Sequence, residues 1–150
     1  MNILKKELYD QCVKYVKERI NTAKQAIIDS QQAANEETKS SAGDKYETSR
    51  EMIQQETNRN QVQLNEANKL MVSLNSINVN TIFKRAEPGS LVITDNGKFY
   101  ISISAGALTV NGETYFAVSS FSPVGLRLKG QQVGDEFVLN GKRYVIKDVI

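Results

Sequence analysis

Val13, Val16, Ile20, Ala23, Ile27, Ser30 and Ala34 recur in alternating steps of three and four, the spacing that lines one stripe of an α-helix. Leu64, Ala67, Met71 and Leu74 follow the same rule further along. Between the two runs lies Thr38-Lys39-Ser40-Ser41-Ala42-Gly43-Asp44, small polar residues around a glycine that end a helix and let the chain reverse. The pattern predicts two antiparallel helices within residues 3–77, reversing between Thr38 and Asp44. The stripe weakens from Ile53 to Gln63, and alanines dominate near the turn. The distal part is therefore expected to pack closely with modest burial and a slender tip. At about 1.5 Å per residue, roughly 35 residues of helix reach about 50 Å, a rod suited to reaching into something.

The period changes after residue 80. Leu91–Thr94 and Lys98–Ser104 flank Asp95-Asn96-Gly97, Ala107–Val110 and Glu113–Ser119 flank Asn111-Gly112, and Glu136–Leu139 and Lys142–Ile150 flank Asn140-Gly141. Asn-Gly between β-forming residues is a strong hairpin signal. Ser122 to Lys129 is expected to form a short helix, with Pro123 in its first turn and Gly130 closing it. Eight of the nine glycines, both prolines and all five phenylalanines lie in this half. Residues 1–80 thus read as a coiled-coil hairpin with its tip near 38–44, and residues 81–150 as a small antiparallel β-sheet domain with one helix. The fold class is α+β, and the boundary falls near Asn78-Val79-Asn80-Thr81.

Composition narrows the chemistry. The formal charge of +2 is too small for a protein that coats nucleic acid, so a polyanion would be met only locally. Cys12 is the one cysteine, which rules out an internal disulfide and a thiol cluster. Its neighbours are scattered lysines, so it reads as a packing residue of the hairpin. Histidine is absent, removing the commonest general base and any imidazole ligand. The first twenty residues break every apolar run with charge, and no stretch approaches the length of a membrane span. The expectation is a cytoplasmic protein, with carboxylates, Lys, Tyr or Ser left to carry any chemistry.

Carboxylates gather at the turn: Asp44 and Glu47, with Glu36, Glu37 and Glu51 close in sequence. Asp followed three residues later by Glu is a capping box, the acid at the helix start covering free N–H groups and the second reaching back. The same spacing places both acids one turn apart on one side of the helix. Presented at a tip, they are ligands for Mg²⁺, an ion that keeps its waters and wants further anionic partners. The two roles are compatible. Lys14, Lys17, Arg19 and Lys24 read as a solvated face, or as a path for RNA phosphates.

Gly43-Asp44-x-x-Glu47 at the turn of a two-helix coiled coil resembles the tip of the Gre transcript-cleavage factors of bacterial RNA polymerase. Ser122-Pro123-Val124-Gly125-Leu126-Arg127-Leu128-Lys129-Gly130, then Val133-Gly134-Asp135-Glu136, then Tyr144-Val145-Ile146 resembles the end of their FKBP-like domain. The likeness spans nearly the whole chain. It implies a transcription elongation factor that enters the polymerase secondary channel and stimulates cleavage of backtracked RNA, with no enzymatic activity of its own. On that reading Asp44 and Glu47 assist catalysis and share a Mg²⁺ with the polymerase, and no cofactor is bound tightly by the isolated protein. Phe121, Ser122 and Pro123 would contact the polymerase. The nascent RNA 3′ end is met inside the complex, DNA only indirectly, a membrane not at all, and the protein is expected to be a monomer. Two departures stand out. Lys45, Tyr46 and Arg50 replace the acidic and small residues with which the family's tip continues, and Phe121 stands where an Asp commonly precedes the Ser-Pro pair. A non-cleaving regulator of the same build, or a coiled-coil adaptor or chaperone, are the alternatives.

Overall fold

The computed structural model describes residues 2–40 and 44–150, with the side chains of 37–40 and 44–46 left aside. Two long helices come first, α1 (Ile3–Ser40) and α2 (Asp44–Asn75), packed as a hairpin. The reversal itself, residues 41–43, lies outside the described residues. Asn2 starts α1, its Oδ1 accepting from Lys5 N at 3.0 Å, which covers one of the N–H groups that have no partner within a helix. Chain contacts divide the molecule into two units, residues 16–71 and a second unit of residues 1–15 with 72–150.

In the first unit, Val16, Ala23 and Ser30 on α1 and Ala67 on α2 are buried. Ile53, Thr57, Asn60 and Leu64 continue the α2 stripe in steps of three and four but are only half-buried. Burial is therefore modest where the stripe becomes polar. Arg19 Nη2 donates across the pair to Gln63 Oε1 at 3.3 Å.

The second unit holds a six-stranded sheet, β1 (Leu91–Thr94), β2 (Gly97–Ser102), β3 (Gly106–Val110), β4 (Glu113–Ser119), β5 (Glu136–Leu139) and β6 (Lys142–Val149), in the order β3-β4-β2-β1-β6-β5. One short helix, α3 (Pro123–Leu128), joins β4 to β5. The expected antiparallel sheet needs one correction: β2 and β4 pair in parallel, Phe99 opposite Phe116 and Ile101 opposite Val118, so the sheet is mixed. The reason is the β3-β4 hairpin. Its second strand, not its first, docks on β2, which leaves β3 at the edge.

Both faces of the central strands are covered. Val92, Phe99, Ile101, Ile146 and Val149 pack with Leu128 of α3, Phe137 and Ala86 on one face. Leu91 and Tyr100, cross-strand partners, belong to the other face, where the first turns of α1 lie: Cys12 Sγ is 3.5 Å from Ser102 Oγ, and Gln11 Nε2 donates to Thr109 O at 2.9 Å. This explains why β2 is nearly continuously buried instead of alternating. Lys5, 1% exposed, donates to Thr81 O at 2.7 Å and Ile150 O at 3.3 Å and lies 4.7 Å from the Phe83 ring centre. Its burial has no counterpart in the apolar stripe read from the sequence.

Candidate functional site

Asp44 is the first residue of α2 and Glu47 follows within its first turn. Glu47 is exposed, whereas the side chain of Asp44 lies outside what the structure describes. Residues three apart in a helix lie one turn apart, and how the two side chains stand to each other lies outside what the structure describes. Among the described residues no group of three or more His, Cys, Asp or Glu side chains is arranged to hold a metal. The pair fits Mg²⁺ only as part of a site, since this ion binds through one or two carboxylates plus waters and the groups of a partner or substrate.

Further along the first unit, a cavity of about 620 Å³ opens between the helices, lined by Gln31, Asn35, Arg50, Gln54 and Thr57 with Ala34 and Ile53. Arg50 is exposed and one turn from Glu47. The groove is polar because amides and a guanidinium occupy the edges of a stripe whose centre holds only small or β-branched residues.

The second candidate group, Phe121-Ser122-Pro123, opens α3. Ser122 is the N-cap: its Oγ accepts from Gly125 N at 3.1 Å and donates to Ser119 O at 2.6 Å. Both functions of that hydroxyl are thereby used in shaping the turn. Pro123 sits in the first turn, where its missing N–H costs nothing. Gly125 is required for a packing reason, since a Cβ there would lie 2.0 Å from Ser119 O. The tight approach of α3 to the end of β4 leaves Phe121 84% exposed. Phe121, not Ser122, is the side chain presented outward.

Two polar groups of the second unit lie apart from both candidate sites. Tyr100 is fully buried and its hydroxyl has no hydrogen-bond partner among the described residues. Burial raises its pKa, and Cys12, Tyr9 and Asp10 push it in the same direction. Burial likewise raises the Cys12 thiol, against the smaller opposing effect of the Ser102 hydroxyl, which suits an inert packing residue. On the sheet surface, Lys98 and Glu113 form an ion pair that Tyr115 joins through its hydroxyl at 3.2 Å. Alternation of polar residues along β2 and β4 is the only signal for that cluster in the sequence.

Among the described residues no helix is long and apolar enough to cross a membrane. No known protein-family model matches the chain, and no curated protein matches it.

Proposed function

We propose that this protein is a transcription elongation factor that binds RNA polymerase through its secondary channel and stimulates cleavage of backtracked nascent RNA. The observation that carries the reading is the position of the acids: Asp44 opens α2 directly after the reversal of a long two-helix hairpin, and Glu47 follows exposed in the same turn. The capped α3 and the six-stranded sheet that follow agree with the order of parts in the Gre factors. Asp44 and Glu47 would hold part of a Mg²⁺ shell and orient water beside the polymerase's own carboxylates. The bound ion would supply Lewis-acid activation of that water and stabilise charge on the phosphate. The catalytic centre would belong to the polymerase, and the factor would complete it.

The test is cleavage of a stalled complex by wild type, Asp44→Asn and Glu47→Gln at matched occupancy. Asn still caps a helix, so stability changes little. Cleavage is lost in both variants, with non-additive effects in the double variant, while polymerase binding persists. Equal cleavage by all three proteins would reduce the pair to a capping box.

A second reading, a non-cleaving regulator occupying the same channel, is favoured by Arg50, which lines the polar groove one turn from Glu47. It is adopted if wild type binds polymerase and no variant, wild type included, cleaves.

A further inference from the structure

Asn96-Gly97, Asn111-Gly112 and Asn140-Gly141 are the same dipeptide at three hairpin ends, yet the fold holds them differently. Asn111-Gly112 and Asn140-Gly141 are themselves the two residues of their turns, closed by Val110 paired with Glu113 and by Leu139 paired with Lys142. In the first hairpin Gly97 belongs to the ladder instead, opposite Thr94. All three asparagines are exposed, so access to water does not separate them.

Their bonds do. Asn96 Nδ2 donates to Arg143 O at 2.6 Å. The neighbouring Asp95 N donates to Val145 O at 3.2 Å, and Asp95 Oδ1 accepts from Val145 N at 2.8 Å. These bonds tie the β1-β2 turn to a third strand, β6. The sheet order places the other two turns in its outermost hairpins, with β3 and β5 as the edges. Neither the Asn111 nor the Asn140 side chain makes a hydrogen bond among the described residues. Space follows the same division: a Cβ at Gly97 would lie 3.1 Å from the Phe99 ring, whereas at Gly112 and Gly141 it would meet nothing within 4 Å. A turn held by its own hairpin alone opens more readily than one tied to a further strand.

An asparagine followed by glycine carries an electrophile beside an unhindered nucleophile, since glycine has no Cβ to block the approach. The glycine backbone nitrogen attacks the asparagine side-chain carbonyl carbon, a new C–N bond closes a cyclic imide, and the bond to the side-chain nitrogen breaks as ammonia leaves with the proton. Water then opens the imide at either carbonyl, giving aspartate or isoaspartate, with nothing oxidised or reduced. Ring closure requires the turn to leave its resting conformation, in which Asn111 and Asn140 stand at φ 52° and 53°. Opening of the turn therefore sets the rate.

We propose that Asn111 and Asn140 are sites of spontaneous deamidation and isoaspartate formation, and that Asn96 is spared by the bonds of its turn to β6. Each conversion adds a carboxylate, so the formal charge falls from +2 to 0 when both have reacted. At Asn111 the new charge stands two residues from Glu113, whose carboxylate already holds Lys98 and Tyr115. The inference draws nothing from the polymerase reading.

The experiment incubates the full chain at mildly alkaline pH, beside a portion unfolded in guanidinium chloride, and follows both by peptide mapping with mass spectrometry that distinguishes isoaspartate from aspartate. Unfolded, the three asparagines should convert at similar rates, because the residue after each is the same. Folded, Asn111 and Asn140 should outpace Asn96 by about tenfold or more, the factor expected when exposed hydrogen bonds must break before the ring can close. Asp95→Ala, which removes the bond to Val145 N, should bring the rate at Asn96 toward the other two. A folded protein in which Asn96 reacts as fast as Asn111 and Asn140 overturns the proposal. So does one in which those two stay intact over a time that converts the unfolded chain. A rate at Asn96 unmoved by Asp95→Ala overturns the assignment of its protection to β6.

Discussion

Among the described residues of the 16–71 unit the buried apolar side chains are Val16, Ala23 and Ala67, whereas the sheet unit buries Leu91, Val92, Phe99, Tyr100, Ile101, Ile103, Leu128 and Ile146 among others. A pair of helices has one seam, and each residue on it meets only the facing stripe. A sheet covered on both faces lets every central residue meet cross-strand neighbours and a second layer. The difference is one of kind as well as size. Hairpin order depends on regular helical repetition, sheet order on specific partners far apart in sequence. The candidate catalytic acids belong to the sparsely buried unit, where a small cap and a shift of helix ends cost little. The capped start of α3 belongs to the densely packed one, where Gly125 and Ser122 fix a loop to the side-chain scale.

The comparison breaks if equally buried side chains in the two units matter equally. Ile101→Ala, in the sheet core, should cost about 4 kcal/mol, through lost burial plus a cavity between two packed layers. Urea unfolding measures it, and a loss equal to that of the next substitution would show the sheet core to be looser than its burial implies. Val16→Ala, fully buried in the hairpin seam, should cost about 1.5 kcal/mol, since two methyl-sized groups are removed where the helices can close up.

Two further substitutions sharpen the picture at the base of α1, whose first turns belong with the sheet. Tyr100→Phe removes a buried hydroxyl that has no partner among the described residues. It should therefore stabilise the protein by about 1 kcal/mol, read as a higher Tm; a loss of stability would place a bonding partner at that hydroxyl. The smallest effect is the pH dependence of Lys5. Burial holds its ammonium below its ordinary value, so in the interval between folded and unfolded values the unfolded chain binds more protons and stability rises with pH. Relative to Lys5→Met, the wild type should gain a little stability as the pH rises toward the ordinary lysine value. A constant difference across that range would mean that the two carbonyl contacts fully offset the burial.

Much of the architecture is legible in local pattern. The three-four repeat from Val13 to Ala34 marks α1, and the structure buries its Val16, Ala23 and Ser30. At two of the three hairpins Asn-Gly takes the positive φ expected of it, 52° and 79° at Asn111 and Gly112, 53° and 76° at Asn140 and Gly141. The remaining hairpin departs from the rule. Its two-residue turn is Asp95-Asn96, with Thr94 paired to Gly97. Thr94 Oγ1 accepts from Asn96 N at 3.1 Å, Asp95 Oδ1 accepts from Val145 N at 2.8 Å, and Asn96 Nδ2 donates to Arg143 O at 2.6 Å. Bonds to a strand about fifty residues later moved the turn by one position, and no window around Asp95 contains them. The start of α3 was legible for the opposite reason, because Pro123 marks its first turn and every group that Ser122 bonds lies within three residues.

The acids of the tip divide along the same line. Their spacing and their place at a helix start are properties of a few consecutive residues, so the sequence by itself determined that Asp44 and Glu47 share a helical turn, that two long helices precede a strand-rich half, and where the capped α3 begins. Tertiary structure alone decided the parallel pairing of β2 with β4, the burial of Lys5 beneath Thr81 and Ile150, and the reach of Arg85 to the carbonyl of Gly130. Periodicity and capping are set by bonds between near neighbours, which any short segment already contains. Strand order and surface charge depend on which distant segments minimise exposed apolar area together, and that quantity exists only once the whole chain has packed.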